Sequence, residues 1–152
     1  MDRSTLNSTA FQATIHCLTG CAIGEILGLV IATALGWHDL PSALLAIVLA
    51  FVFGYGLTIR PLVGGGIPLR RAARLAVASD TLSIVTMETV DTATVLLVPG
   101  AMAAGLLDGL FWGSLGASLL IAGVVAFPVN RWLIARGQGH AVLREAGHGA
   151  HH

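Results

Sequence analysis

Lysine is absent from the 152 residues, and charged side chains of all kinds make up only 11%. A soluble domain carries roughly a quarter, so this chain cannot cover a globular surface with hydrated groups. An ordinary soluble enzyme and a disordered tail protein are both excluded. Eight arginines balance eight acids, which leaves no net positive field to hold nucleic acid. Two cysteines do not make a disulfide framework. Strand-like alternation is missing, which argues against a membrane β-barrel. No Gly-x-Ser-x-Gly, His-Glu-x-x-His or nucleotide loop occurs, and the Gly64-Gly65-Gly66 run neither follows a strand nor precedes Lys-Ser/Thr. The chain is therefore not expected to be an enzyme.

Apolar residues make up 55% of the chain, and the mean hydropathy is +0.83. Crossing the hydrocarbon takes about 20 mostly apolar residues in a helix. Four runs qualify, at about 11–36, 41–59, 75–98 and 105–133. The expected fold is an all-α, polytopic membrane protein: a four-helix transmembrane bundle. Residues 1–10 form an N-terminal segment, 11–136 the membrane domain, and 137–152 a histidine-containing tail. The first run is too long, and too rich in glycine and acid, for a cleavable signal. Arg3, Arg60, Arg70, Arg71, Arg74, Arg131, Arg136 and Arg144 all fall on one side of such a bundle. The positive-inside rule then places both termini in the cytoplasm, with a bacterial inner membrane as the expected location.

Within these runs lie charges that lipid does not welcome. A carboxylate at the bilayer centre costs about 2.5–3.5 kcal/mol even on insertion scales, so such groups face protein or water. At 100° per residue, Asp80, Met87, Glu88 and Asp91 share an arc of about 100° and extend over roughly 16 Å of the third span. The first span carries Cys17, Cys21 and Glu25 at four-residue intervals, with His16 about 100° aside. Gly20, Gly24 and Gly28 form an adjoining ridge that admits a close helix. Asp108 lies at the start of the fourth span. The acids form a graded path with no basic residue inside it, so a cation or protons must offset their charge.

This pattern gives two expectations. The first is a small transporter or channel for a cation, above all a soft transition metal such as Cu(I), Zn(II) or Hg(II). Thiols, thioethers and imidazoles select such ions. In that reading His16, Cys17, Cys21, Asp80 and Met87 are the metal ligands, and Glu25, Glu88, Asp91 and Asp108 relay the cation. His140, His148, His151 and His152 would capture metal at the tail. A transition metal ion is the sole candidate cofactor. Four helices leave little room for a pore, which suggests a homo-oligomer. The second expectation is a non-transporting scaffold or assembly subunit whose polar stripe docks a membrane partner protein of a metal-handling or respiratory complex. Membrane lipids surround the chain in either case. The blander reading of the same residues is helix glue: glycines and small polar side chains pack helices, and buried cysteines behave as small hydrophobes.

The stretch from Ala13 to Glu25, with His16-Cys17, Cys21 and Glu25, resembles the opening motif of a bacterial membrane family catalogued as domain of unknown function 4396. The resemblance continues through Ala78-Ser79-Asp80-Thr81, Met87-Glu88-Thr89-Val90-Asp91 and Pro128-Val129-Asn130-Arg131-Trp132-Leu133. It covers Phe11 to about His140. It implies the same four-span architecture and assigns no activity.

Overall fold

The computed structural model describes residues 2–101 and 103–136. It contains four α-helices: α1 (Arg3–Ala34), α2 (Asp39–Gly64), α3 (Leu69–Leu97) and α4 (Gly109–Ala135). The tail histidines His140, His148, His151 and His152 lie outside the described residues.

Helix α1 starts eight residues before the expected span because Asp2 caps it. The Thr5 amide donates to Asp2 Oδ1 at 2.7 Å, and the Ser4 hydroxyl donates to the same oxygen at 3.0 Å. These bonds, the Thr5 amide first, hold the exposed Asp2 carboxyl below its ordinary pKa. The cap is therefore intact at neutral pH and fades as pH falls through that lowered value. Helix α2 runs past its expected end at Ile59 and contains Pro61. The three connections each turn on a glycine in the left-handed region: Gly36 (φ 66°), Gly66 (φ 89°) and Gly100 (φ 80°).

Three helices, α1, α2 and α4, are long and apolar enough to cross a membrane. Helix α3 falls short on composition, because Arg70, Arg71, Arg74, Asp80, Glu88 and Asp91 all lie within it. Its apolar side is nevertheless turned outward, with Leu82, Val85 and Leu96 exposed, while Ser79, Asp80, Ser83, Met87 and Glu88 are buried.

The bundle is organised around α1. Its glycine ridge meets α2 in antiparallel register. A Cβ on Gly20 would lie 2.8 Å from the Gly54 Cα, and one on Gly28 would lie 2.6 Å from the Ala46 Cα. One on Gly24 would run into the backbone of Ala50. This backbone-to-backbone approach is what small-xxx-small spacing permits. Helix α4 joins α1 through Asn130, whose Nδ2 donates to Thr14 Oγ1 at 2.9 Å, and through Arg131, whose Nε donates to Asn7 Oδ1 at 2.7 Å. Helix α3 packs against the other three. Three of the α4 glycines behave differently: Gly109, Gly113 and Gly116 face open space, whereas Gly123 packs against Leu18 of α1.

The two sets of glycines should respond to alanine with opposite signs. Gly24→Ala forces α1 and α2 apart and loses about 1–3 kcal/mol. Gly113→Ala meets no atom and gains up to about 1 kcal/mol of helix propensity. Thermal unfolding of the two variants in one detergent checks the contrast, and equal shifts would refute the registry.

Candidate functional site

Helices α1 and α3 run parallel and face each other across the interior of the bundle, where their polar residues meet as successive rungs. Residue offsets stay near constant along the pair, so each turn of α1 addresses the corresponding turn of α3.

The lowest rung lies near the arginine-rich end. The Thr58 hydroxyl of α2 donates to Asp80 Oδ2 at 2.6 Å, and the Ser79 hydroxyl donates to Asp80 Oδ1 at 2.6 Å. His16 Nε2 lies 2.8 Å from Thr58 Oγ1. Thr58 has one proton and gives it to Asp80, so the His16 ring is the donor in the other bond. Asp80 is fully buried, and these hydroxyls replace the water it gave up. His16 and Asp80 are thus brought together, joined through a threonine that the sequence reading did not single out. Thr58 carries no sequence signal of its own, being one threonine in an apolar helix.

The next two rungs carry the thiols. Cys17 lies against Ser83, and Cys21 lies against Glu88. Both cysteines and Met87 are about 1% exposed and share a packed cluster with Ala50, Ile84, Ala122 and Ala126. Both thiols are free. Among the described residues no three His, Cys, Asp or Glu side chains gather as a metal-holding group. The expected soft ligands are therefore neighbours along a ladder and not one coordination sphere, whose donors would have to converge on a single point.

The top rung pairs Glu25 with Asp91, which lies beside Ser118 of α4. Here hydroxyl partners run out. Both carboxylate oxygens of Glu25, Oε1 of Glu88 and Oδ1 of Asp91 are buried and have no hydrogen-bond partner among the described residues. The Ser83 hydroxyl oxygen is in the same position. Buried polar atoms are almost always satisfied, so a run of orphans marks a place where another species belongs.

Glu25 and Asp91 also line a cavity of about 320 Å³. It extends to the turns at the far end of the bundle from the arginine-rich loop, and is bounded by Trp37, Asp39, Ala101, Gly105 and Phe111. Asp108, expected as part of the relay, stands apart from the ladder. It is exposed, and its Oδ2 accepts the Gly105 amide at 2.8 Å, which ties the α3–α4 connection. Trp112 is half-exposed and donates Nε1 to the Leu106 carbonyl at 2.9 Å in that same connection.

Replacing Thr58 by valine keeps the volume and removes the bridge between His16 and Asp80. A loss of about 1–3 kcal/mol is expected for depriving a buried carboxylate of a donor. Thermal unfolding in detergent measures it, and a Thr58→Ser variant should stay close to the parent. A valine variant as stable as the parent would show that the bridge carries no load.

No curated protein and no solved structure matches the chain. One family does: its model, described as a domain of unknown function (4396), matches residues 6–139 and so takes in all four helices and every rung of the ladder. On that match, the chain belongs to the family of domain of unknown function 4396.

Proposed function

We propose that the chain is a small transporter or channel for a cation in the bacterial inner membrane, with four spans and both termini in the cytoplasm. The observation that carries this reading is the set of buried carboxylate oxygens on Glu25, Glu88 and Asp91 that have no hydrogen-bond partner among the described residues, with Glu25 and Asp91 lining a cavity. Carboxylates at lipid depth are costly, and they are kept where an ion or proton pathway uses them. A visiting cation offsets that cost; a resting apolar bundle would have no use for it.

Two features support α3 as the fourth span. Its 29 residues reach about 43 Å at 1.5 Å per residue, more than the roughly 30 Å of hydrocarbon. Its rungs also run beside α1 through the same depth, so a bilayer that contains α1 contains α3. The arginines of the α2–α3 connection and of the two ends support the orientation.

The cation would enter at Glu25 and Asp91, pass to Glu88, and reach the Asp80–Thr58–His16 chain on the cytoplasmic side. Cys17, Cys21 and Met87 flank the middle of this route, and they support a soft metal such as Cu(I), Zn(II) or Hg(II) as cargo. The scattered ligands speak against a permanently held metal and suit one in transit, which conduction requires to be bound weakly enough to leave.

Ion flux into liposomes containing the purified protein tests the reading. Glu88→Gln should lower flux at least about tenfold, the loss expected for removing one interaction of roughly 1.4 kcal/mol. Cys17→Ser with Cys21→Ser should abolish metal flux if the cargo is soft, and leave flux intact if it is a hard cation or a proton. No flux of any cation, with a stoichiometric membrane partner on purification, would overturn transport in favour of the scaffold. The topology has its own check. A cysteine placed beside Gly65 in a cysteine-free background should resist membrane-impermeant labelling in intact inside-closed cells, and one beside Leu107 should react. The reverse pattern would invert the orientation.

A further inference from the structure

The cavity differs in character from the ladder beneath it. An inorganic cation needs several oxygen, nitrogen or sulfur donors on one point, four for zinc and six or more for calcium. The cavity wall offers few. The Ser42 and Ser114 hydroxyls donate to the carbonyls of their own helices, His38 at 2.8 Å and Phe111 at 2.9 Å. Asp39 lines the same cavity, but among the described residues it does not gather with Glu25 and Asp91 into a metal-holding group. Thr33 also lines it, and most of the remaining wall is apolar, with Trp37 and Phe111 among it.

The volume points the same way. At about 320 Å³ the space is far larger than a bare ion and falls at the lower end of small-molecule sites, which run from about 300 to 1,000 Å³. Apolar walls, aromatic faces and a buried acid at the base are what an alkylated ammonium ion requires. Its charge meets the carboxylate, its carbon atoms displace water from apolar wall, and its positive face stacks on aromatic rings. Both Glu25 carboxylate oxygens are buried without a hydrogen-bond partner among the described residues, so no other group competes with a positive ligand for them.

We infer that the cavity between the turn ends of the bundle is a binding site for a small organic ammonium cation, held by Glu25 and Asp91 at its base and by Trp37 and Phe111 at its sides. This rests on the cation reading given above and narrows it by naming the class of ion that the outer site takes. The size and shape of the space favour a tertiary or quaternary amine with short alkyl groups. Binding needs no covalent or redox step.

Tetraethylammonium serves as the probe. Its binding to the detergent-purified full chain is measured by titration calorimetry, with far-ultraviolet circular dichroism confirming the helical fold of each variant. Saturable binding at one site is expected. Glu25→Gln should weaken it at least about tenfold, and Asp91→Asn by a smaller factor. Trp37→Leu should weaken it several-fold while Trp37→Phe retains it, a contrast that loss of fold would not produce. Cys17→Ser with Cys21→Ser should leave it unchanged. No saturable binding to the parent, or binding that folded Glu25→Gln and Trp37→Leu proteins keep in full, would overturn the assignment.

Flux separates the two levels. If tetraethylammonium does not bind while an inorganic cation still crosses liposomes in a Glu88-dependent way, the organic-cation site falls and the transport reading stands. If neither binding nor flux occurs, both fall.

Discussion

The close approach of α1 to α2 is the constraint from which the rest follows. Gly20, Gly24 and Gly28 let the α1 backbone meet Gly54, Ala50 and Ala46 with no side chain between them. Without a hydrophobic drive between helices in lipid, that packing contact is a principal source of association. It also fixes the rotation of α1 about its own axis. With the glycine ridge committed to α2, the neighbouring face that bears Cys17, Cys21 and Glu25 must point at α3. One steric fact about three glycines therefore determines where the chemistry of the first helix goes.

Helix α3 answers with a face that no lipid-exposed helix could carry. Asp80, Ser83, Met87 and Glu88 are turned inward, while Leu82, Val85 and Leu96 are turned out. Because α1 and α3 run parallel, their polar residues stay in step turn after turn. An antiparallel pair would have set His16 beside the acids at the other end. The ladder is thus a product of connectivity: two hairpins bring the first and third helices into the same direction, facing each other across the bundle interior.

Much of this was legible in the sequence. Helical periodicity gave the inward stripe of α3, and four-residue spacing gave both the glycine ridge and the thiol row beside it. Four helices and the family assignment agree with the structure and the family match. Helix α3 does not meet the apolar standard of a span on its own, because the acids and arginines that make it interesting also lower its hydropathy. Other features depended on distant contacts that no local pattern encodes. Thr58 became the bridge between His16 and Asp80 only because α2 folds back on both. The cavity walls come from two connections 60 residues apart in the chain, Trp37 and the segment around Ala101, and nothing in either stretch announces the other. Asp108 looked like a member of the acidic path because depth can be inferred from position, whereas the turn it ties cannot.

The ladder is not uniform, and its gradient separates glue from function. At the arginine-rich end, Asp80 accepts from Ser79 and Thr58 and is settled in place. A carboxylate bonded in this way holds helices together whatever else it does. Going outward, the rungs lose their hydroxyl partners: Ser83 and Glu88 each leave an oxygen bare, and Glu25 leaves two. If the whole ladder were adhesive, the same polar satisfaction would be expected at every level, because an unsatisfied group costs more the better it is buried. The deficit instead grows toward the end where Glu25 and Asp91 line a cavity. Helix packing accounts for the lower half of this protein, and the upper half retains a cost that packing does not relieve and a positive ligand would.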